Sequence, residues 1–116
     1  MLEMMIKRKE MIENFKKYLK NINESIKAVL KDFEVFLFGS VIEGNLVAAS
    51  DIDILIIAEV PKNHLKRAEI IAKIEEKARL PFVHPFEFHI LTNEELKTWK
   101  NIYDLKYEKI SSYMQE

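Results

Sequence analysis

Apolar residues recur at Ile12, Phe15, Leu19, Ile22, Ile26, Val29 and Phe33, in steps of three and four, with Lys and Glu between them. That repeat marks one face of a helix, and it predicts a single long helix over residues 2–31 that lays its stripe on a sheet. The pattern then changes. Val35 to Phe38 is an unbroken apolar run stopped by Gly39-Ser40, read as a first strand over 34–38 followed by a short turn or helix. A loop over 44–50 leads into Asp51-Ile52-Asp53-Ile54-Leu55-Ile56-Ile57, a second strand over 51–58. Leu65, Ala68, Ile71, Ala72, Ile74 and Ala78 give the stripe of a helix over 62–79. Pro85 to Leu91 reads as a third strand, with Phe86, Phe88 and Ile90 on one face and Glu87, His89 and Leu91 on the other. Thr92-Asn93-Glu94-Glu95 has the form of a capping box. It opens a last helix predicted over 93–113, with Leu96, Trp99, Tyr103, Ile110 and Met114 near helical spacing.

The order α-β-α-β-α predicts an α/β fold, a small sheet backed by helices. A length of 116 residues suits one domain with one core, spanning residues 1–116. The absence of cysteine removes disulfides, thiolate metal sites and a cysteine nucleophile, and fits a reducing cytoplasm. The opening MLEMMIKRKEM has no continuous apolar segment, so no signal peptide is expected. No run approaches the ~20 apolar residues of a membrane span, so a cytoplasmic protein is expected. A net charge of −1 argues against a long nucleic-acid footprint. Residues 1–33 carry eight basic and five acidic side chains, so a modest basic patch around Lys7-Arg8-Lys9 and Lys16-Lys17 is expected, solvated rather than nucleic-acid-binding.

Charge and glycine content single out one stretch, Phe36 to Glu59. The chain has two glycines, Gly39 and Gly44, and both lie here. Glu34 to Glu59 holds five acidic residues and no Lys or Arg, so no local cation is expected to compensate Asp51 and Asp53. Alternation along a strand puts these two carboxylates on one face. They repel unless water or a divalent cation lies between them, and Mg²⁺ is a hard ion commonly held by one or two carboxylates plus phosphate. The bland alternative is a pair of solvent-facing strand-entry residues. N–H groups at the Gly39-Ser40 turn, with the Ser40 hydroxyl, can hold phosphate oxygens, although Ser40 could also be an ordinary helix cap. Glu87 is an acid among large apolar residues, a costly placement unless it is paired, beside a metal or turned to water. His89 reads as a packed or hydrogen-bonded strand residue and His64 as a surface residue, while His84 is open between loop residue and substrate contact.

Gly39-Ser40, ten intervening residues and then Asp51-x-Asp53, with Ser50 before the pair, resembles the signature of the DNA polymerase β-type nucleotidyltransferase superfamily. Within it the chain most resembles the minimal nucleotidyltransferases of prokaryotes, the MNT group. The resemblance implies the nucleotidyltransferase fold and a third carboxylate from a neighbouring strand, where this sequence offers Glu87. It implies Asp51, Asp53 and Glu87 as catalytic ligands of two Mg²⁺ ions, with Gly39 and Ser40 binding nucleotide. It implies transfer of AMP from ATP to a hydroxyl. It also implies a helical HEPN-domain partner, with this chain as antitoxin modifying a tyrosine of the partner. Aromatics near the C-terminal end point to a homo- or hetero-oligomer. One departure stands out: family members often carry Arg within the loop, where this chain has Val41-Ile42-Glu43. Lys62, Lys66 or Arg67 would then have to assist the triphosphate. The alternative is a module with a weak or vestigial site that neutralises its partner by docking alone. A metal-dependent phosphoesterase lacks the further His and Asp ligands it would need.

Overall fold

The computed structural model describes residues 1–47 and 49–114; Ala48, in the loop expected before the second strand, lies outside them. In chain order the elements are α1 (Leu2–Glu13), α2 (Lys16–Val29), β1 (Glu34–Phe38), α3 (Ser40–Glu43), β2 (Ile52–Ile57), α4 (His64–Lys77), β3 (Phe86–Leu91), α5 (Asn93–Ile102) and β4 (Tyr107–Lys109), closed by a 3₁₀ turn, Ile110–Ser112. The expected α/β class holds. Four strands form one mixed sheet in the order β3-β2-β1-β4. β1 runs antiparallel to both β2 and β4, whereas β2 and β3 are parallel. A parallel pair needs a crossover connection, and α4 provides it.

Strand alternation divides the core in two. Ile52, Ile54 and Ile56 point toward α1, α2 and α4, where they pack with Met11, Leu19, Ile22, Ile26 and Ile74, all fully buried. Burying a side chain of this size is worth about 1.5–3 kcal/mol relative to exposure. On the opposite face Phe36, Leu55, Ile57 and Leu91 pack under Leu96 of α5. Among the described residues no helix is long and apolar enough to cross a membrane.

Three expectations need correction. The first helix is two helices. Asn14 Nδ2 donates to the Glu10 carbonyl at 3.0 Å, which also accepts from the Asn14 N–H, and the Phe15 N–H tightens onto the Ile12 carbonyl. An asparagine that bonds its own backbone competes with helix continuation, yet one kinked turn leaves the three-four apolar repeat undisturbed. The stripe of α4 is also displaced: Leu65, Ala68 and Ala72 are exposed, and Ile70, Ile71, Ile74 and Ala78 make the contact. The helix starts at Asn63, whose side chain caps it by accepting from the Leu65 and Lys66 N–H groups, and its first turn stays outside the packed layer. Finally, α5 ends at Ile102. Tyr103 is extended (ψ 138°), and Tyr107–Lys109 form a strand pairing Phe36 with Lys109 and Phe38 with Tyr107. Without it β1 would present an unpaired apolar edge, and the Tyr107 ring packs edge-on against Phe36 at 4.8 Å.

Candidate active site

The sheet register assembles the site. Phe38 of β1 lies opposite Asp53 of β2, which lies opposite Glu87 of β3, so the Gly39 turn and both carboxylates share one end of the sheet. This is the end of the α5-facing side that the apolar cluster leaves uncovered. Gly39 has φ +73° and ψ −148°, a conformation L side chains rarely adopt. A Cβ at Gly39 would collide with Asp53 Oδ2. Asp53 therefore sits against bare backbone, and this glycine is required twice over. Gly44, in the left-handed region (φ +79°), ends α3.

Ser40 is the first residue of α3 rather than its cap, since Gly39 holds the cap position and no side chain caps the helix. The N–H groups of Ser40 and Val41 fall in the first turn, where no intrahelical acceptor exists; the Ile42 and Glu43 N–H groups bond back to the Gly39 carbonyl. The capping alternative for Ser40 is excluded; the residue is half-buried and follows Gly39 at the carboxylate end of the sheet.

Asp51 precedes β2 and is half exposed. Contrary to expectation it has a local cation: Arg8 of α1 donates through Nη2 to Asp51 Oδ1 at 2.8 Å and to the Ser50 carbonyl at 2.9 Å. The Arg8 side chain is only 14% exposed, so the Lys7-Arg8-Lys9 run is not uniformly solvated. Counting charge within the loop could not reveal a partner 43 residues upstream. Arg67, by contrast, is held elsewhere. It donates to the Pro61 and Ile90 carbonyls and pairs with both Glu95 oxygens, at the opposite end of β3. Lys62 and Lys66 flank the Asn63 cap at that same distant end, so the expected assistance from these three residues has no geometric support.

The residue that sequence reasoning undervalued is His89. Alternation already placed it on the face of Glu87, but nothing in the pattern gave its ring direction. The ring is flanked by Phe38 (5.1 Å between centroids) and Trp99 (6.2 Å), which set its plane. Its Nε2 lies 3.5 Å from Asp53 Oδ1 and 3.6 Å from Glu87 Oε1, and this buried atom has no hydrogen-bond partner among the described residues. One ligand atom each from Asp53, Glu87 and His89 falls within 4.8 Å of the others. Partial burial pushes the Glu87 carboxyl above its ordinary value; nearby His89 opposes this, and the Asp53 and Asp51 carboxylates reinforce it. Three carboxylates, one orphaned ring nitrogen and one guanidinium are thus brought together. Converging acids with an unsatisfied nitrogen fit a divalent cation: each carboxylate gains a counter-charge and the nitrogen gains an electron-pair acceptor.

The remaining histidines are settled. His84 is structural: Nδ1 accepts the Phe86 N–H at 3.1 Å, which leaves the Nε2 proton for Glu75 at 2.6 Å. His64 is exposed at the start of α4. An apolar cleft of about 430 Å³, lined in part by Ile71, His89, Leu91 and Trp99, runs along β3 from the His89 ring.

A profile of the nucleotidyltransferase domain family matches residues 12–112. One crystal structure, provisionally described as a nucleotidyltransferase, aligns at 40% identity with a TM-score of 0.60, covering 78% of this chain and 94% of that one. A second, from Sulfolobus solfataricus and described in the same provisional way, gives a TM-score of 0.58 over 98% of this chain and 91% of that one. At 19% identity its likeness is one of fold. No curated protein matches the chain.

Proposed function

This chain belongs to the nucleotidyltransferase domain family, and we propose that it moves AMP from ATP to a hydroxyl group of an acceptor, with Asp51, Asp53 and Glu87 as the catalytic carboxylates. The observation that carries this reading is the register Phe38–Asp53–Glu87, which sets two acids beside a glycine turn that must lack a side chain. The three carboxylates would hold two Mg²⁺ ions, which when bound neutralise the triphosphate and acidify the acceptor hydroxyl. The Ser40 hydroxyl and the first-turn N–H groups of α3 would receive the β- and γ-phosphates. As the acceptor oxygen bonds to the α-phosphorus, the bond from that phosphorus to pyrophosphate breaks. The acceptor proton passes to a carboxylate, Glu87 being the member of the set on the outer strand. Arg8 supplies the positive charge that the loop itself lacks.

For the acceptor, the resemblance to minimal nucleotidyltransferases supports a tyrosine on a HEPN-domain partner, and with it an antitoxin role. The cleft beside His89, with Trp99 in its wall, suits a planar side chain, and the exposed Ile102 and Tyr103 offer a place for a protein partner or a second copy to dock. A cytoplasmic setting follows from this role. The Arg8–Asp51 ion pair favours one further reading, a docking module whose site is half-neutralised from within.

Calorimetric titration of ATP with and without Mg²⁺, on the wild type and Asp53→Asn, tests the first reading. Mg²⁺-dependent binding that the variant loses is expected; ATP binding indifferent to both would overturn it. Intact mass of the HEPN partner after incubation with the chain and ATP–Mg²⁺ should rise by one AMP. If Asp51→Asn/Asp53→Asn still neutralises the partner fully, docking alone accounts for the activity.

A further inference from the structure

We infer that His89 is a direct metal ligand, and that the site it forms with Asp53 and Glu87 prefers a nitrogen-accepting transition-metal dication, of which Mn²⁺ is the probe, over the all-oxygen coordination of Mg²⁺. The inference rests on the reading of the carboxylates as a divalent-cation site and deepens it, by naming the metal class that this chain's own residues select.

His89 Nε2 is buried and makes no hydrogen bond among the described residues. Its two nearest acceptors, Asp53 Oδ1 at 3.5 Å and Glu87 Oε1 at 3.6 Å, lie beyond the usual 2.7–3.2 Å range of an N–H···O bond. A buried polar atom without a partner is costly and calls for an explanation such as an ion. The spacing is that of ligands around a shared centre. Atoms each about 2.0–2.2 Å from one ion stand roughly 2.8–3.6 Å apart, for angles between octahedral and tetrahedral. The two His89 distances fall at the upper end of that range, and all three ligand atoms lie within 4.8 Å of one another.

The surroundings direct the ring rather than merely tolerate it. Phe38 and Trp99 flank the imidazole, and Phe38 and Trp99 themselves lie 6.3 Å apart, edge to face. The ring is held between two aromatics while one nitrogen faces the carboxylates. Imidazole binds transition-metal dications readily, whereas Mg²⁺ takes oxygen ligands and retains its waters. A nitrogen placed in an otherwise carboxylate set therefore shifts the preference away from Mg²⁺.

The experiment uses the full chain with Mn²⁺ alone. Electron spin-echo modulation of bound Mn²⁺ should show nitrogen coupling, changed when the histidines carry ¹⁵N. His89→Phe keeps the aromatic packing and removes the nitrogen; it should abolish the coupling, weaken Mn²⁺ roughly 10- to 100-fold and change Mg²⁺ affinity less than about threefold. Mn²⁺ bound without nitrogen coupling, and equally well by His89→Phe, would overturn the role of His89 and leave the carboxylate site standing. No Mn²⁺ binding by the wild type would overturn both. Should His89→Phe fail to fold, the isotope-labelled wild type decides the matter alone.

Discussion

Strand β3 begins beside one glutamate and leads into the cap built on another, and the two are in opposite electrostatic states. Glu95 is fully satisfied. It accepts from both Arg67 Nη groups and from the Thr92 N–H at 2.9 Å, and its own N–H donates to the Thr92 hydroxyl. The Arg67 hydrogen bonds, followed by that of the Thr92 backbone, hold its carboxyl down at about 2. Glu87 is left with two carboxylates and a histidine nitrogen too distant to bond, and its proton affinity moves the other way. The sheet is the same and the strand is the same. The end where Arg67 answers Glu95 ties α4 and α5 to β3; the end where Asp53 and Glu87 have no such partner among the described residues is where an ion or nucleotide has something to supply.

The contrast can be broken from either side. Asp53→Asn should reduce nucleotidyl transfer by more than about 100-fold, beyond what losing an outer-shell metal partner costs, while thermal stability holds or rises because a repelling charge is gone; radiolabel transfer and a melting curve check the two together. Gly39→Ala should harm both properties. Backbone strain costs about 1–3 kcal/mol, and the displaced Asp53 should weaken Mn²⁺ binding at least tenfold, measurable by denaturant titration beside a metal titration. Arg67→Met should cost about 1–3 kcal/mol by stranding Glu95 and leave metal affinity unchanged.

That same pair sets a pH dependence. A carboxyl lowered in the folded state stabilises it above the unfolded value, near 4.5, and the contribution fades as pH falls from there toward about 2. With Glu95 partly exposed the effect should be about 1–2 kcal/mol, visible as a steeper acid transition in wild type than in Arg67→Met. The smallest effect is at the cap. Thr92→Ala should cost about 1 kcal/mol, read from the denaturant midpoint, with no change in transfer.

How much of this was legible in the sequence depended on range. The three main strands and the capping box at Thr92 follow from local alternation and short spacing, and the structure places them within one or two residues of expectation. The nearness of Glu87 was expected from the family resemblance alone; the parallel pairing of β2 with β3, which brings Glu87 level with Asp53, is a long-range fact that local pattern does not carry. What was hidden is non-local or geometric. Arg8 reaches Asp51 across 43 positions. The break at Asn14 preserves the apolar repeat, so periodicity cannot register it. The three-residue β4 is too short to impose a pattern on Leu105-Lys106-Tyr107-Glu108-Lys109, and Tyr103 continued the helical spacing that ends at Ile102. His89 was visible as a position, but the orientation of its ring depends on Trp99, a helix away.

β4 has a consequence for the order in which the molecule can be built. It pairs residue 36 with residue 109, so β1 waits for most of the chain before its outer edge is covered. During synthesis the segment Val35–Phe38 can pair with β2 early, but Phe36 and Phe38 remain beside an open ladder that another chain could occupy. The vulnerable interval for aggregation is therefore the time between emergence of β2 and arrival of Tyr107, and slowing translation across that interval should lower soluble yield more than slowing it anywhere upstream.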